Sequence, residues 1–280
     1  MMDGRAAALR HWSTAALWHC STAALFVCLL LSPTLSAFVL MSVEEESRWG
    51  REAQEAMRKD VPLVSDPAIG QYVAAIGHRL AARAGGPKYR YTFTVGDYAE
   101  LNALALQGGY IWINRGALHA ARNESQLAGV LAHEVAHVAL RHAARQVSNA
   151  AVARAGLGFL SALLGNVGGA VTSDAAARSM ATGVFLGFSR DDEREADRLG
   201  TDLLNRAGWD PRGLAEFLEI VQVRARNAPS TVDAFFSTHP ALDERLADLR
   251  RRQAAKTTGR RDSAAFRDCA RRVSRLRKAR

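Results

Sequence analysis

The chain has 280 residues, 48% hydrophobic and 23% charged, with a formal net charge of +9, a composition ordinary for a globular protein and sufficient for one sizeable core. The charge is not spread over the chain: residues 250–280 hold 13 Lys and Arg against 2 acids, so that segment carries +11 and the other 249 residues carry −2. The basicity therefore marks a tail rather than a nucleic-acid-binding fold, and the three cysteines (Cys20, Cys28 and Cys269) are too few and too scattered for a Cys-rich zinc site or a structural disulfide. Any bound metal must be held by His and carboxylates.

Trp12 to Val43 contains no Lys, Arg, Asp or Glu, with Arg5 and Arg10 before it and Glu44, Glu45 and Glu46 after it. Residues 1–42 read either as a secretory signal peptide, with small residues near Ser36-Ala37, or as a retained membrane anchor, since about 20 apolar residues span a bilayer. Pro33 and the polar Ser32, Thr34 and Ser36 favour cleavage. On both readings the positive flank stays inside and the rest of the chain is exported.

Residues 44–60 are charged and helix-compatible. Ile69, Val73, Ile76 and Leu80 recur at spacings of three and four, which predicts an amphipathic helix over Ala68–Arg83, ended by Gly85-Gly86-Pro87. Tyr89–Val95, Leu101–Leu106 and Tyr110–Asn114 read as strands, the last two joined in a hairpin by Gln107-Gly108-Gly109. Asn123 as N-cap, with Gln126 three residues on, opens a helix expected to run from Glu124 to about Ser148. Residues 151–188 are rich in Ala, Gly and Leu. Their glycines and short apolar runs suit a buried or substrate-facing helical pair better than a membrane hairpin. Asp191–Arg206 is a charged helix, Asp210-Pro211 caps another, and the last ordered helix is expected over Pro240–Arg252. The expected fold is α+β and mainly α, with a small antiparallel sheet. Residues 43–252 form the domain and 253–280 a basic, solvated, partly disordered tail, contact with anionic lipid being the alternative.

The helix begun at Asn123 carries His133-Glu134-Val135-Ala136-His137. Residues four apart on a helix differ by about 40° in azimuth and about 6 Å along the axis, so both imidazoles can reach one ion. Glu134, turned about 100° from His133, stands where a general base is needed beside a water that zinc acidifies towards pKa 7. Two histidines flanking a buried helix face is the structural alternative, and a match this short arises by chance in about one chain in a hundred. On a continuous helix His142 falls about 180° from His133 and is rejected as a ligand. The metzincin pattern also fails, because Leu140 and Ala143 stand where it wants Gly and His. Glu193 is the better third ligand, and Asp197, four residues on, can accept a hydrogen bond from the far nitrogen of a ligand histidine. Alternatively, these acids form a solvated face paired with Arg194 and Arg198.

HEVAH, followed 56 residues later by the Glu of Glu193-Arg194-Glu195-Ala196-Asp197, resembles the gluzincin family of the CaaX prenyl protease, the HtpX-like, the Oma-type and the BepA-like proteases. Asn102–Ile113 resembles the family's upstream strand segment, and Ser237-Thr238-His239-Pro240, with Glu244-Arg245, its downstream segment. The resemblance spans Ala68 to Leu249 and departs at Gln107, where members often have Pro. The chain is expected to be closer to short exported members without tetratricopeptide repeats.

The resemblance implies a zincin-like endopeptidase with one zinc on His133, His137 and Glu193, Glu134 as base and Asp197 orienting a ligand. It implies that His239 is either an oxyanion donor or a latch on the open metal position, and leaves Arg245 as an oxyanion donor or a structural ion pair. Gly109, Tyr110, Ile111 and Trp112 read either as a sheet edge that pairs with substrate or as an ordinary half-buried strand. The implied partners are misfolded or unassembled envelope proteins in the bacterial periplasm, with membrane association through the N-terminus or the tail and no nucleic acid. The alternative is a latched or inactive protease fold acting as a chaperone-like binding module.

Overall fold

The computed structural model describes residues 39–163, 187–252 and 258–277, so all but the last four residues of the expected signal or anchor segment and most of the Ala/Gly/Leu-rich stretch lie outside the described residues. The chain divides into two compact units, 39–148 with 171–280 and 1–38 with 149–170. The second unit is described only over 149–163, the end of a helix; every other described element belongs to the first.

Helix α1 (Val43–Asp60) starts in a capping box: the Glu45 N–H donates to the Ser42 hydroxyl at 3.1 Å, and the Ser42 N–H to the Glu45 carboxylate at 2.8 Å. Helix α2 (Pro67–Ala81) has Asp66 as its cap and Pro at its first position, and buries Ile69, Val73, Ile76 and Leu80 as the spacing predicts.

Strands β1 (Thr92–Gly96), β2 (Ala103–Ala105) and β3 (Tyr110–Asn114) form one sheet in the order β1-β3-β2. β1 is shorter than expected because its partner begins only at Tyr110, opposite Thr92. Gly108 and Gly109, at φ 67° and 96°, hold the backbone out of the extended region just before it. The sheet is mixed rather than antiparallel: β2–β3 is the expected antiparallel pair, but β1 runs parallel to β3. Parallel neighbours cannot be joined by a tight turn, and the connection between β1 and β3 passes through β2 on β3's far side.

Helix α3 (Arg115–Ala120) leads into α4 (Glu124–Ala139), which is buried along its whole length. Asn123 caps α4 through the Gln126 N–H at 3.0 Å, while the Gln126 side-chain Oε1 accepts from the Arg122 N–H at 2.8 Å instead of closing a capping box on Asn123. α4 does not continue to Ser148 as expected. It stops at Ala139, Arg141 adopts φ 59°, and a new helix, α5 (His142–Leu163), begins in a changed direction. Tertiary contacts hold this break, for Arg141 pairs with Glu46 of α1 and donates to the Met41 carbonyl at 2.6 Å.

Helix α6 (Arg190–Arg206) is capped by Ser189 with Asp192 and packs lengthwise on α4. Gly200 permits the approach: a Cβ there would lie 3.2 Å from the His133 nitrogen. Helix α7 (Gly213–Asn227) starts later than Asp210-Pro211 suggests, because Asp210 turns its carboxylate to the Arg212 N–H and its carbonyl to the Gly213 N–H. The short α8 (Asp233–Thr238) and α9 (Leu242–Arg252) complete the helices around the site.

The tail is not disordered over 258–277. It forms α10 (Ala264–Arg275), capped by Ser263, with Phe266, Cys269 and Val273 buried towards α2 and α3. These positions have the spacing of an apolar helix face, which the charge run around them obscures. Arg260 stacks over Trp209 and pairs with Glu124 at 2.7 Å, Arg261 reaches Asp210 and Glu216, and Arg272 reaches Asp66. Among the described residues no helix is long and apolar enough to cross a membrane.

Candidate metal centre

The Nε2 atoms of His133 and His137, both buried on α4, stand 2.9 Å apart. From α6, the fully buried Glu193 brings Oε2 to 3.5 Å from His133 Nε2 and Oε1 to 3.3 Å from His137 Nε2. His239, just after α8, places Nδ1 3.0 Å from Glu193 Oε1 and 3.4 Å from His133 Nε2. One potential ligand atom from each of these four residues lies within 4.8 Å of all the others. The structure thus brings the three sequence-predicted ligands together and adds His239. Two imidazoles and a carboxylate converging on one point are the donor set of a tetrahedral zinc site with a further position to fill, so the residues fit the metal. Glu134 lies beside them, its Oε1 3.5 Å from His239 Nε2 and its buried Oε2 without a hydrogen-bond partner among the described residues.

Buried charge around the site is compensated from α9. Asp197 accepts from Arg245 Nε at 2.8 Å and Nη2 at 2.7 Å, and Arg245 Nη1 lies 2.5 Å from Glu193 Oε2. Arg245 therefore aims its donors at the two acids of α6. Burial alone would raise Glu193, but the Arg245 and His239 charges and hydrogen bonds from His133 and His137 hold it well below the usual carboxylate range. Asp197 is likewise lowered against burial, chiefly by Arg245. It stands 3.0 Å from His133 Nδ1, the orienting position expected of it. Burial and Arg245 oppose protonation of His133, yet Asp197 and Glu193 outweigh them and lift it to about 9. Burial, then the neighbouring His133, pushes His137 well below the ordinary imidazole value.

Two expectations need correction. The geometry used to reject His142 assumed a continuous helix. The break at Arg141 instead turns His142 inward, with Nδ1 2.8 Å from His137 Nδ1. It stays outside the four-residue cluster, but for a different reason: it lies behind His137 rather than across the helix. Second, Tyr110, Ile111 and Trp112 are not a sheet edge, because β3 is paired on both sides, and Gly109 sits in the turn before it. β1 and β2 are the two outer strands; β1 is bridged on its free side by Leu63 at Gly96, and β2 is the edge next to the metal cluster. The Asn114 N–H donates to the Asn102 carbonyl and the Leu106 N–H to the Tyr110 carbonyl, so Ala103 and Ala105 turn their backbone groups away from β3. The Ala103 carbonyl instead lies 3.3 Å from His239 Nε2. Strand order is a long-range property, and the sequence motif held no signal of which strand lies outermost.

The family model for peptidase family M48 matches residues 67–253, from the start of α2 to just past the end of α9. The chain belongs to peptidase family M48. It is 35% identical over 224 residues to the beta-barrel assembly-enhancing protease of Escherichia coli (strain K12), an alignment covering 78% of this chain and 45% of that protein. It is 30% identical over 212 residues to the mitochondrial metalloendopeptidase OMA1 of Schizosaccharomyces pombe, covering 75% and 61%. The metalloprotease LoiP of E. coli (strain K12) is 26% identical over 229 residues, covering 81% and 88%. The chain spans about half the length of the beta-barrel assembly-enhancing proteases it matches. The M48 match and the motif-based resemblance from Ala68 to Leu249 coincide at both ends within a few residues.

Proposed function

We propose that this M48 protein is a zinc-dependent metalloendopeptidase with one zinc held by His133, His137 and Glu193. The observation that carries the reading is the convergence of these buried donors from α4 and α6 beside Glu134, whose Oε2 has no hydrogen-bond partner among the described residues. Zinc bound there supplies Lewis-acid polarisation of the scissile carbonyl and acidifies the attacking water. Glu134 takes a proton from that water and returns it to the leaving amine. Asp197 fixes the tautomer of His133, and Arg245 balances the acids. The free side of β2, through Ala103 and Ala105, pairs with the main chain of an extended substrate.

His239 acts as a latch. It sits among the ligand atoms and against the Ala103 carbonyl, so it covers both the open ligand position and the edge a substrate needs. The motif resemblance favours misfolded or unassembled envelope proteins as substrates and the bacterial periplasm as the compartment, reached through residues 1–42 as signal peptide or anchor, and the name of one relative speaks of β-barrel assembly. Membrane association through that segment or the tail belongs to the same reading, and no nucleic-acid partner is part of it.

Casein digestion by the full-length chain, with and without a chelator, is the test. Chelation should abolish cleavage, and Glu134→Gln should keep zinc but lose about 10²–10⁴-fold in turnover. Undiminished cleavage in either case overturns the assignment. The placement of His239 also favours a second reading, a closed protease fold that only binds its partners. His239→Ala separates the two: a rise in cleavage supports the latched enzyme, while silence in both forms supports the binding module.

A further inference from the structure

A metal-binding imidazole offers one nitrogen to the ion and carries its proton on the other, so the partner of that second nitrogen fixes the tautomer and the ring orientation. The two histidines of α4 meet this requirement differently. His133 presents Nδ1 to Asp197 at 3.0 Å. His137 presents Nδ1 to another imidazole, with His142 Nδ1 at 2.8 Å. We propose that His142 is a positioning residue that acts through His137 and ties it to helix α6. The inference rests on the zinc site proposed above.

The hydrogen assignment is consistent from one end to the other. With Nε2 of His137 directed at the ion, its proton lies on Nδ1 and is donated to His142 Nδ1. The proton of His142 then lies on Nε2, which faces Glu195 Oε2 at 3.2 Å and Asp192 Oδ1 at 3.8 Å, two groups that only accept. Arg145, one turn further along α5, donates from Nη2 to Asp192 at 2.7 Å and to Glu195 at 2.8 Å. Its guanidinium neutralises these acids and makes the group an anchor rather than a second cation site. Asp192 is also fixed by the capping box with Ser189.

The same turn of α6 thus serves both histidines: Asp197 braces His133, and Glu195 with Asp192 braces His137 through His142. Phe188 stacks on the His137 ring at 3.8 Å and limits tilting about the remaining axis. The device exists only because the chain breaks at Arg141, since a continuous helix would carry His142 to the opposite side. Without His142, the Nδ1–H of His137 is left buried with no acceptor.

The test uses the full-length protein. The zinc dissociation constant is measured by competition with a chromogenic chelator, together with the visible absorption of the cobalt-substituted form. His142→Ala should weaken zinc binding about 10–100-fold, the range for orienting partners of ligand histidines, and alter the cobalt spectrum. His142→Asn, whose Oδ1 can stand where Nδ1 stands, should recover most of the loss. Wild-type affinity and spectrum in His142→Ala overturn the relay. His137→Ala is the control: affinity that survives it removes the zinc site and the relay together, whereas affinity that needs His137 but not His142 removes the relay alone. If His142→Ala does not fold, Glu195→Gln carries the test. It should cost several-fold in affinity, and no loss overturns the proposal.

Discussion

The metal centre and a C-terminal clasp, made of Arg260, Arg261 and α10, both set arginine against carboxylates, but the arginines differ sharply in exposure. At the centre, the Arg245 side chain is 1% exposed and meets Asp197 and Glu193 at 3% and 0%. In the clasp, Arg260 and Arg261 are 42% and 41% exposed, and their partners Glu124, Asp210 and Glu216 are 4%, 1% and 25% exposed, but Glu124 keeps Trp209 and Asp210 keeps Arg212 as a second partner. Pairs involving exposed side chains are screened and contribute about 0–1 kcal/mol each, whereas removing one member of a buried pair leaves an uncompensated charge and costs about 3–5 kcal/mol. The clasp is therefore stabilised mainly by Phe266, Cys269 and Val273, with its arginines setting alignment. At the centre, stability depends on the charges themselves.

The contrast can be broken from either side. The largest effect is expected at the ligands: Glu193→Ala should release zinc and reduce peptidase activity to background, read by metal content and casein cleavage, and retained metal would place the site elsewhere. Arg245→Ala should destabilise the fold by about 3–5 kcal/mol in urea unfolding, because two buried carboxylates lose their cation. Phe266→Ala should cost about 3 kcal/mol by the same measurement, as expected for a buried aromatic, with zinc content unchanged. Arg261→Ala should fall below about 1 kcal/mol. A loss at Arg261 equal to that at Arg245 would show that exposure does not separate the two regions.

The features legible in the sequence are those set by local spacing. Ile69, Val73, Ile76 and Leu80 mark the buried face of α2, and the four-residue spacings His133–His137 and Glu193–Asp197 mark the facing surfaces of α4 and α6. Two features set by tertiary contacts were not legible, and one set by local spacing was masked. The break at Arg141 has neither Gly nor Pro to announce it and is held by Glu46, 95 residues away. It hid His142. The position of β3 between two partners depends on strand order, which puts Tyr110–Trp112 inside the sheet and leaves β2 as the edge beside the metal cluster. In the tail, total charge masked a three-and-four apolar spacing at Phe266, Cys269 and Val273 that was present all along.

Gly200 contributes no polar atom to the site, yet it sets the separation of the helices that carry the ligands. A methyl group there would stand 3.2 Å from the His133 backbone nitrogen and 3.3 Å from the Ala132 carbonyl carbon, so α6 would have to retreat by a few tenths of an ångström. The missing side chain at this position thus lets the two helices close up, so that Glu193, seven residues earlier on α6, reaches His133 and His137 on α4.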